Sequence, residues 1–409
     1  MKKSIFSRLF LYTLMLTFLA APAWAGGLYI QEFATPSLGS ANAGAQAWAD
    51  NASTAFFNSA GMTRIDGKEL MVGGGLINVD TKFDPAPDTP VPGGDGGQAG
   101  SLAPLINAFY VHSFSDDLKF GFDTLSTSAA VLDYDNNWAG RYQCQKVSIF
   151  TITLHPSLAY RVNDWFSIGG GVGFIYGDLE LEVAIPPSIT GTGNDGKATI
   201  DGDDMEHSYN LSAMFELSDR TRIGVVYWSE VNFNFEGDVS LQPVGVQVDV
   251  DTSLPLVQWA KTGIYHEFND RFALLGSVGW EDWSELDNVN LSVARGSLAM
   301  PKNWKDTYSF AGGMHYRLSK PWLLQFGIAY DTSPVDAEDR TADMPIDRQI
   351  RYNIGTQYEK SEKLTIGCAF EYADLGDAEI NNSSPINGLK GSYKNNDVMA
   401  FIINFNWKF

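Results

Sequence analysis

From Met399 to the end of the chain every second side chain is apolar and mostly large: Met399, Phe401, Ile403, Phe405, Trp407 and Phe409. The residues between them trend smaller or polar, ending with Asn404, Asn406 and Lys408. A strand turns successive side chains to opposite faces, so this segment is oily on one face and wet on the other. The same period of two runs through Trp322, Leu324, Phe326, Ile328 and Tyr330 and through Leu364, Ile366, Cys368, Phe370 and Tyr372. Phe272, Leu274, Val278 and Trp280 repeat it, with Ser277 and Glu281 on the other face. Six short polar turns punctuate the pattern, at 115–117, 163–165, 218–220, 269–271, 319–321 and 360–363, spaced 41–55 residues apart. Ser, Asn and Asp suit such reversals because their side chains bond their own backbone. Between successive turns lies a longer stretch rich in Gly, Pro, Asp and Asn, as at 84–103, 185–206, 238–255 and 374–397. Each unit therefore reads strand, long loop, strand, short turn. Six turns and two ends on the same side require seven long loops and fourteen strands.

Residues 1–25 read as a signal peptide. Lys2, Lys3 and Arg8 precede the apolar core LFLYTLMLTFLAA, and Ala23-Trp24-Ala25 fits the small-x-small cleavage rule. That core falls short of the ~20 residues a spanning helix needs. No later stretch is long and apolar enough to cross as a helix, so membrane insertion must use strands. An exported chain with half-apolar strands and a final aromatic predicts an all-β fold. The expected architecture is a transmembrane antiparallel β-barrel of about fourteen strands over 68–409, in a bacterial outer membrane, with long loops outside and short turns in the periplasm. A soluble β-sandwich would show shorter strands. A formal net charge of −21 argues against nucleic-acid binding, which needs a basic footprint. Cys144 falls in a predicted loop and Cys368 among lipid-facing positions, which argues against a disulfide between them.

Residues 26–67 break the pattern. They show no alternation of two. Ser40 to Ala49 reads as a short Ala-rich helix with a Ser cap, and Asn51 to Phe57 as a second, stopped near Asn58 and Gly61. A fourteen-stranded barrel is too wide for its own side chains to fill. The segment is therefore expected to fold inside the lumen as a small helical hatch rather than beside the barrel.

Several segments carry a resemblance to a known family. They are GLYIQEFATPSLGSANAGAQAWADNASTAFFNSAGM at the expected mature start, WAGRY at 138–142 and HPSLAYRVND at 155–164. WEDWSELDNVNL at 280–291, NWKDTYSFAGGMHY at 303–316 and YDTSPV at 330–335 follow in order. Together they resemble the FadL family of outer-membrane transporters for long-chain fatty acids and related hydrocarbons, over Gly26 to Phe409. One position departs. The family's hatch carries Asn-Pro-Ala, whereas this chain has Asn58-Ser59-Ala60, which removes the stiffening of a proline.

The resemblance implies passive uptake of hydrophobic molecules, with a hatch that shifts and a sideways exit beside a kinked third strand. The hatch residues it points to are Gly26, Gly27, Phe56, Phe57, Asn58 and Ala60. The kink falls where Leu118, Phe120 and Phe122 lose their alternation in a run of small residues containing Thr124, Ser126, Ser128 and Ala129, which suits a bulge or inward bend. Apolar loop residues at which a ligand would land are Ile185, Ile189, Leu241, Val244, Val246, Leu254 and Leu256. The expected partners are a hydrophobic small molecule, outer-membrane lipid and the barrel assembly machinery acting on Phe409, with the chain working as a monomer. No cofactor and no metal site is expected. The acidic group Asp195, Asp201, Asp203 and Asp204 reads as a solvated loop meeting ions of the lipid headgroups. Two other classes compete. A general diffusion porin for polar solutes predicts an open pore without a plug. A barrel enzyme such as an outer-membrane lipase needs Ser and His facing each other, and no G-x-S-x-G elbow occurs. A basic residue in the lumen, such as Arg141, Arg161 or Arg351, would favour fatty acids unless it only pairs with lumen acids.

Overall fold

The computed structural model describes residues 29–191, 193–242, 246–293 and 296–409, so the expected signal peptide, Gly26 and Gly27 lie outside the described residues. Twenty strand segments join in one antiparallel sheet. The sheet closes on itself where the first and last wall strands pair, from Glu69↔Lys408 to Pro85↔Gly391. In chain order the wall runs Lys68–Pro85, Leu102–Ser113, Leu118–Leu125 with Ala129–Asp133, Lys146–Asn163, Phe166–Ile185, Gly196–Ser218 and Thr221–Trp228 with Val231–Gln242. It continues with Val246–Leu256 and Trp259–Asn269, Phe272–Glu281 and Asn288–Val293, Gly296–Pro301 and Thr307–Ser319, Trp322–Asp331, Gln349–Ser361, Leu364–Asp374 and Leu389–Lys408. Five of these are broken into two segments, and Ile380–Asn382 belongs to a loop, which leaves the fourteen wall strands that the turns require. Closure is what makes strands viable in lipid, because no edge is left with unpaired backbone.

The two faces separate as the alternation predicts. Phe401 and Ile354 stand 57% and 50% exposed towards the lipid, while Ala400, Ile402 and Asn404 of the same final strand are buried inside. Cys144 and Cys368 are free thiols. Two stretches read as loops are largely strand. The fifth and sixth wall strands pair as far out as Ile185↔Gly196, which puts Asp201, Asp203 and Asp204 on a strand. The seventh and eighth pair from Leu256↔Val231 out to Val246↔Leu241. The run Val246-Gln-Val-Asp-Val-Asp alternates as strictly as any wall strand, so its period outweighs its acidic composition.

At the extracellular end strand tops and loops pack into a buried apolar cluster containing Phe83, Leu132, Trp138, Met344 and Tyr393. Trp138 stacks on Tyr134 at 4.0 Å, and the Tyr134 and Tyr393 hydroxyls bond at 2.8 Å. Leu254 and Leu256 join this cluster.

Residues 29–67 fill the lumen. They form 3-10 turns at Pro36–Ser40 and Ser59–Arg64 and single helical turns at Ala45–Trp48 and Thr54–Phe57. The Ser-capped helix expected from Ser40 does not form. Ala41, Asn42 and Ala49 adopt φ of 55°, 55° and 45°, and Ser40 Oγ donates to Ser37 O instead of capping. The cause is close packing against the wall. A Cβ on Gly224 would stand 1.8 Å from Gln46 O, and one on Gly327 2.1 Å from the Ser40 carbonyl carbon. Backbone lies on backbone there, which only glycine permits. The alanines serve that fit more than they serve helix propensity.

Candidate functional site

The third wall strand is interrupted. It pairs with the second only from Ser113↔Lys119 to Ala108↔Thr124. Its inner segment stops at Leu125 and the outer one starts at Ala129. The outer segment pairs with the fourth strand alone, from Ala129↔Phe150 to Asp133↔Lys146. Farther out the gap is closed by a loop, where Asp133 N donates to Ala99 O at 3.0 Å and Ala99 N to Thr81 O at 2.9 Å. Between those two closures the second strand, from Leu102 to Asn107, pairs only with the first. Pro104 sits in this stretch, as proline does on strand edges. The result is a window in the wall. A cavity of about 110 Å³ lies in it, lined by Val72, Ile106, Asn107, Thr124, Leu125, Ser126 and Phe150 among others.

The N-terminal segment is stitched to this break. Ile30 N donates to Thr127 O at 3.1 Å, and Tyr29 bridges to Ser128. Thr151 completes the stitching: its Oγ1 accepts from Ser128 N at 3.0 Å and its own N donates to Ser128 O at 2.9 Å. Tyr29 also reaches across the lumen, its hydroxyl donating to Val257 O.

Behind the break lies a second cavity of about 60 Å³, lined by Tyr29, Ile30, Phe33, Phe56, Phe57, Thr127, Trp259 and Phe310 among others. Its aromatic side is continuous: Phe33 meets Phe56 and Phe57 edge-on at 5.2 and 5.8 Å, and Phe56 meets Trp259 at 6.5 Å. A benzene-sized guest needs roughly 150 Å³ of dry cavity. As it stands the cavity is too small for such a guest, which requires the plug to move. Thr127 lines this cavity while Leu125 and Ser126 line the window, so one bend of the chain separates the two.

The polar side of the cavity holds Lys261, Glu281 and Arg351. Lys261 Nζ lies 3.3 Å from Glu281 Oε1 and donates to Gln31 Oε1 at 3.3 Å. Arg351 Nη2 lies 2.6 Å from Asp331 Oδ2. Glu32 is fully buried, and its carboxyl is held well above the usual glutamate range by burial first and then by the charge of Glu371. A second buried network ties the plug to the third strand. Asp123 Oδ2 meets His155 Nδ1 at 2.8 Å, His155 Nε2 lies 3.2 Å from Asn210 Oδ1, and Asn210 Nδ2 donates to Ser59 Oγ at 3.1 Å. Ser59, where a proline was expected, thus supplies a polar link to the wall.

The residues singled out from sequence divide. Phe56 and Phe57 line the cavity behind the break and Thr124 and Ser126 the window. Asn58 and Ala60 face the wall instead: Asn58 Nδ2 donates to Ala213 O at 3.0 Å, and Ala60 N donates to Ser212 Oγ at 2.9 Å. Ile185 ends the fifth strand, Ile189 lies in the helical turn Pro187–Thr190, and Leu241 and Val246 oppose one another across a hairpin. Val244 lies outside the described residues. Leu256 lines a cavity of about 20 Å³ with Tyr29, Phe56 and Thr127. Trp259, Tyr29 and the His155–Asp123 pair were not singled out. The loss of alternation at Pro255 to Gln258 marks Trp259, whereas nothing local pairs Asp123 with a residue 32 positions away.

Comparison with known proteins agrees with this architecture. The family described as outer membrane protein transport protein (OMPP1/FadL/TodX) matches residues 16–409. The long-chain fatty acid transport protein of Escherichia coli strain K12 is 24% identical, covering 89% of this chain and 91% of that protein. Outer membrane protein P1 of Haemophilus influenzae is 24% identical over 91% of this chain and 90% of its own length. Among solved structures, a FadL homologue of Pseudomonas aeruginosa superposes with a TM-score of 0.87 at 22% identity, covering 94% of this chain and all of that one. The toluene transporter TodX of Pseudomonas putida gives 0.72 at 16% identity over 94% of this chain and 100% of its own. The chain is an outer-membrane β-barrel and belongs to the OMPP1/FadL/TodX family of outer-membrane transport proteins.

Proposed function

We propose that this protein carries hydrophobic small molecules passively across the outer membrane and releases them sideways through the window between its second and third wall strands. The observation that carries the reading is the break at 126–128, which has no ladder to the second strand and is closed by hydrogen bonds from the first described residues of the plug and from Thr151 of the fourth strand. Relatives named as long-chain fatty acid transport proteins and as a toluene transporter support a hydrophobic cargo.

The physical logic is straightforward. The outer leaflet is a cross-linked, anionic layer through which an apolar solute partitions poorly. An apolar path replaces that barrier, each buried methylene contributing roughly 0.8 kcal/mol. Lateral release spares the solute a return to water. In this reading residues 1–25 are removed on export and residues 26–67 form the plug. Gly26, Gly27, Phe56 and Phe57 contact or gate the ligand, Asn58 and Ala60 anchor the plug, and Thr124, Ser126, Ser128 and Ala129 frame the exit. Ligand lands among the outer hairpins that carry Ile185, Ile189, Leu241, Val244 and Val246. One chain closes the barrel by its own first and last strands, so a monomer suffices, and the exposed Phe409 is what assembly machinery engages.

Deleting residues 26–40 tests this. An inserted barrel with steady planar-bilayer current and impaired hydrocarbon uptake is the expected result. Unchanged uptake would remove the plug from the mechanism. Large steady current from the intact protein would favour a diffusion porin instead.

A further inference from the structure

Resting on that reading, we infer that residues 333–347 form a lid over the outer mouth, and that a hydrophobe enters the barrel beneath it. This strap joins Asp331, where one wall strand ends, to Gln349, where the next begins. It contains no helix or strand, yet Val335, Ala342, Met344 and Ile346 are buried. A buried loop without regular structure has to find partners for its backbone among side chains. Arg340, itself buried, provides them. Its guanidinium donates to Ile346 O at 2.8 Å, Val335 O at 2.9 Å and Ser333 Oγ at 3.2 Å, and meets Asp347 Oδ1 at 3.3 Å. One cation thus ties the start of the strap to its end, so the strap moves as a unit.

Its holds differ between its two sides. Towards the adjoining outer loop the ties are to backbone: Asn381 N donates to Ala337 O at 2.7 Å, and Arg340 donates to Glu379 O. Across the mouth the buried holds come from side chains. Lys302 Nζ donates to Asp343 Oδ2 at 2.6 Å and to Thr341 Oγ1 at 2.9 Å. The Tyr134 hydroxyl donates to Ala342 O at 3.0 Å, and Gln143 Oε1 accepts from Ala342 N at 3.1 Å. At the rim, Asn303 bonds Asp339 and Lys305 bonds Asp336, both exposed to water. The first side is a hinge and the second a clasp. Beneath the strap Ala342 and Met344 belong to the same buried cluster as Trp138, Trp304, Trp283 and Tyr29. Trp304 meets Trp283 at 5.2 Å and Trp283 meets Tyr29 at 5.5 Å, and Tyr29 lines the cavity behind the break. A hydrophobe that lifts the lid therefore meets apolar side chains from the mouth to the plug, exchanging their mutual contacts for its own. Opening hydrates Lys302 and Asp343, which offsets the loss of their pairing.

Cys144 reports the state of the lid. Its thiol is fully buried in that cluster, beside Gln143 and within reach of the charges of Asp343 and Lys302. Outer membranes carrying the full-length protein are treated with a polar maleimide, and labelling of Cys144 is read by mass spectrometry alongside decane uptake by cells. Lys302→Met leaves Asp343, 9% exposed, without its partner while the lid is shut, and opening hydrates it. Labelling of Cys144 is expected to rise about tenfold and initial uptake roughly threefold or more. Tyr134→Phe, a second variant should the first fold poorly, removes one hold without stranding a charge and moves both readings the same way by less. Faster labelling with unchanged uptake overturns the inference while leaving the channel reading standing, and so does unchanged labelling in both variants. Absence of decane uptake by the native protein overturns both.

Discussion

The last three wall strands and the third one are built from the same alternation, yet they close the wall in different ways. Gln349–Ser361, Leu364–Asp374 and Leu389–Lys408 pair without a gap, from Ile350↔Asp374 to Ser361↔Leu364 and from Leu364↔Trp407 to Asp374↔Asp397. Their lipid face is tiled with large side chains such as Tyr352, Ile354, Phe370 and Phe401. At 126–128 the third strand presents Ser, Thr and Ser, and its ladder to the second strand stops. Backbone polar groups at membrane depth must still find partners within the protein. The last strands find them in each other. The break finds them in Ile30, Tyr29 and the hydroxyl of Thr151, groups that can let go without unzipping the barrel. Only a wall closed by a removable partner can open.

The contrast is broken most severely by filling the break. Thr127→Trp places a large ring between cavity and window, and hydrocarbon uptake by cells is expected to fall about tenfold or more, a barrier of at least ~1.4 kcal/mol. Ile354→Trp, on the fully paired wall, should leave uptake unchanged. Loosening the plug without touching the break should have a smaller effect. Gly224→Val drives a side chain into Gln46 O, an overpacking cost of about 1–3 kcal/mol. Single-channel openings in planar bilayers should become more frequent while the barrel stays folded; openings as rare as in the native protein would show that this contact does not hold the plug. The smallest effect concerns protons. Burial and Glu371 hold the Glu32 carboxyl above its ordinary value of 4.5, so the docked plug keeps a proton that a released, hydrated plug gives up. Docking is then fully favourable below that ordinary value and weakens as pH rises through the docked one. Openings should increase with pH, and Glu32→Gln should flatten that slope; an unchanged slope would assign it to another group.

Much of the wall was legible because it rests on a local rule. Alternation and turn residues placed all six short turns, the first strand at Lys68 and the last at Lys408. The rule was misread where polarity drew attention from period, as in the outer hairpin around Val246. The plug was harder. Its lumenal position follows from the width of the bore, but its helices do not follow from its alanines, because Gly224 and Gly327 on distant strands decide how its backbone runs. The break at 126–128 announced itself by lost alternation. The partners that close it did not: Tyr29, Ile30 and Thr151 meet it only through the barrel's three-dimensional register. The same holds for Asp123 and His155, which sit on strands joined by a long loop, so no turn counts out their pairing.

The most direct test of sideways release is to map where a cargo travels. Outer membranes containing the intact protein would be exposed to a diazirine-bearing alkane, irradiated, and the labelled residues read by mass spectrometry. Labels are expected in sequence through the cavity behind the break and the window, at Phe56, Trp259, Thr127, Leu125 and Ile106. Labels that bypass the window and gather at the periplasmic end, at Tyr265, Phe272 and Leu323, would show a route straight down the bore and contradict lateral release.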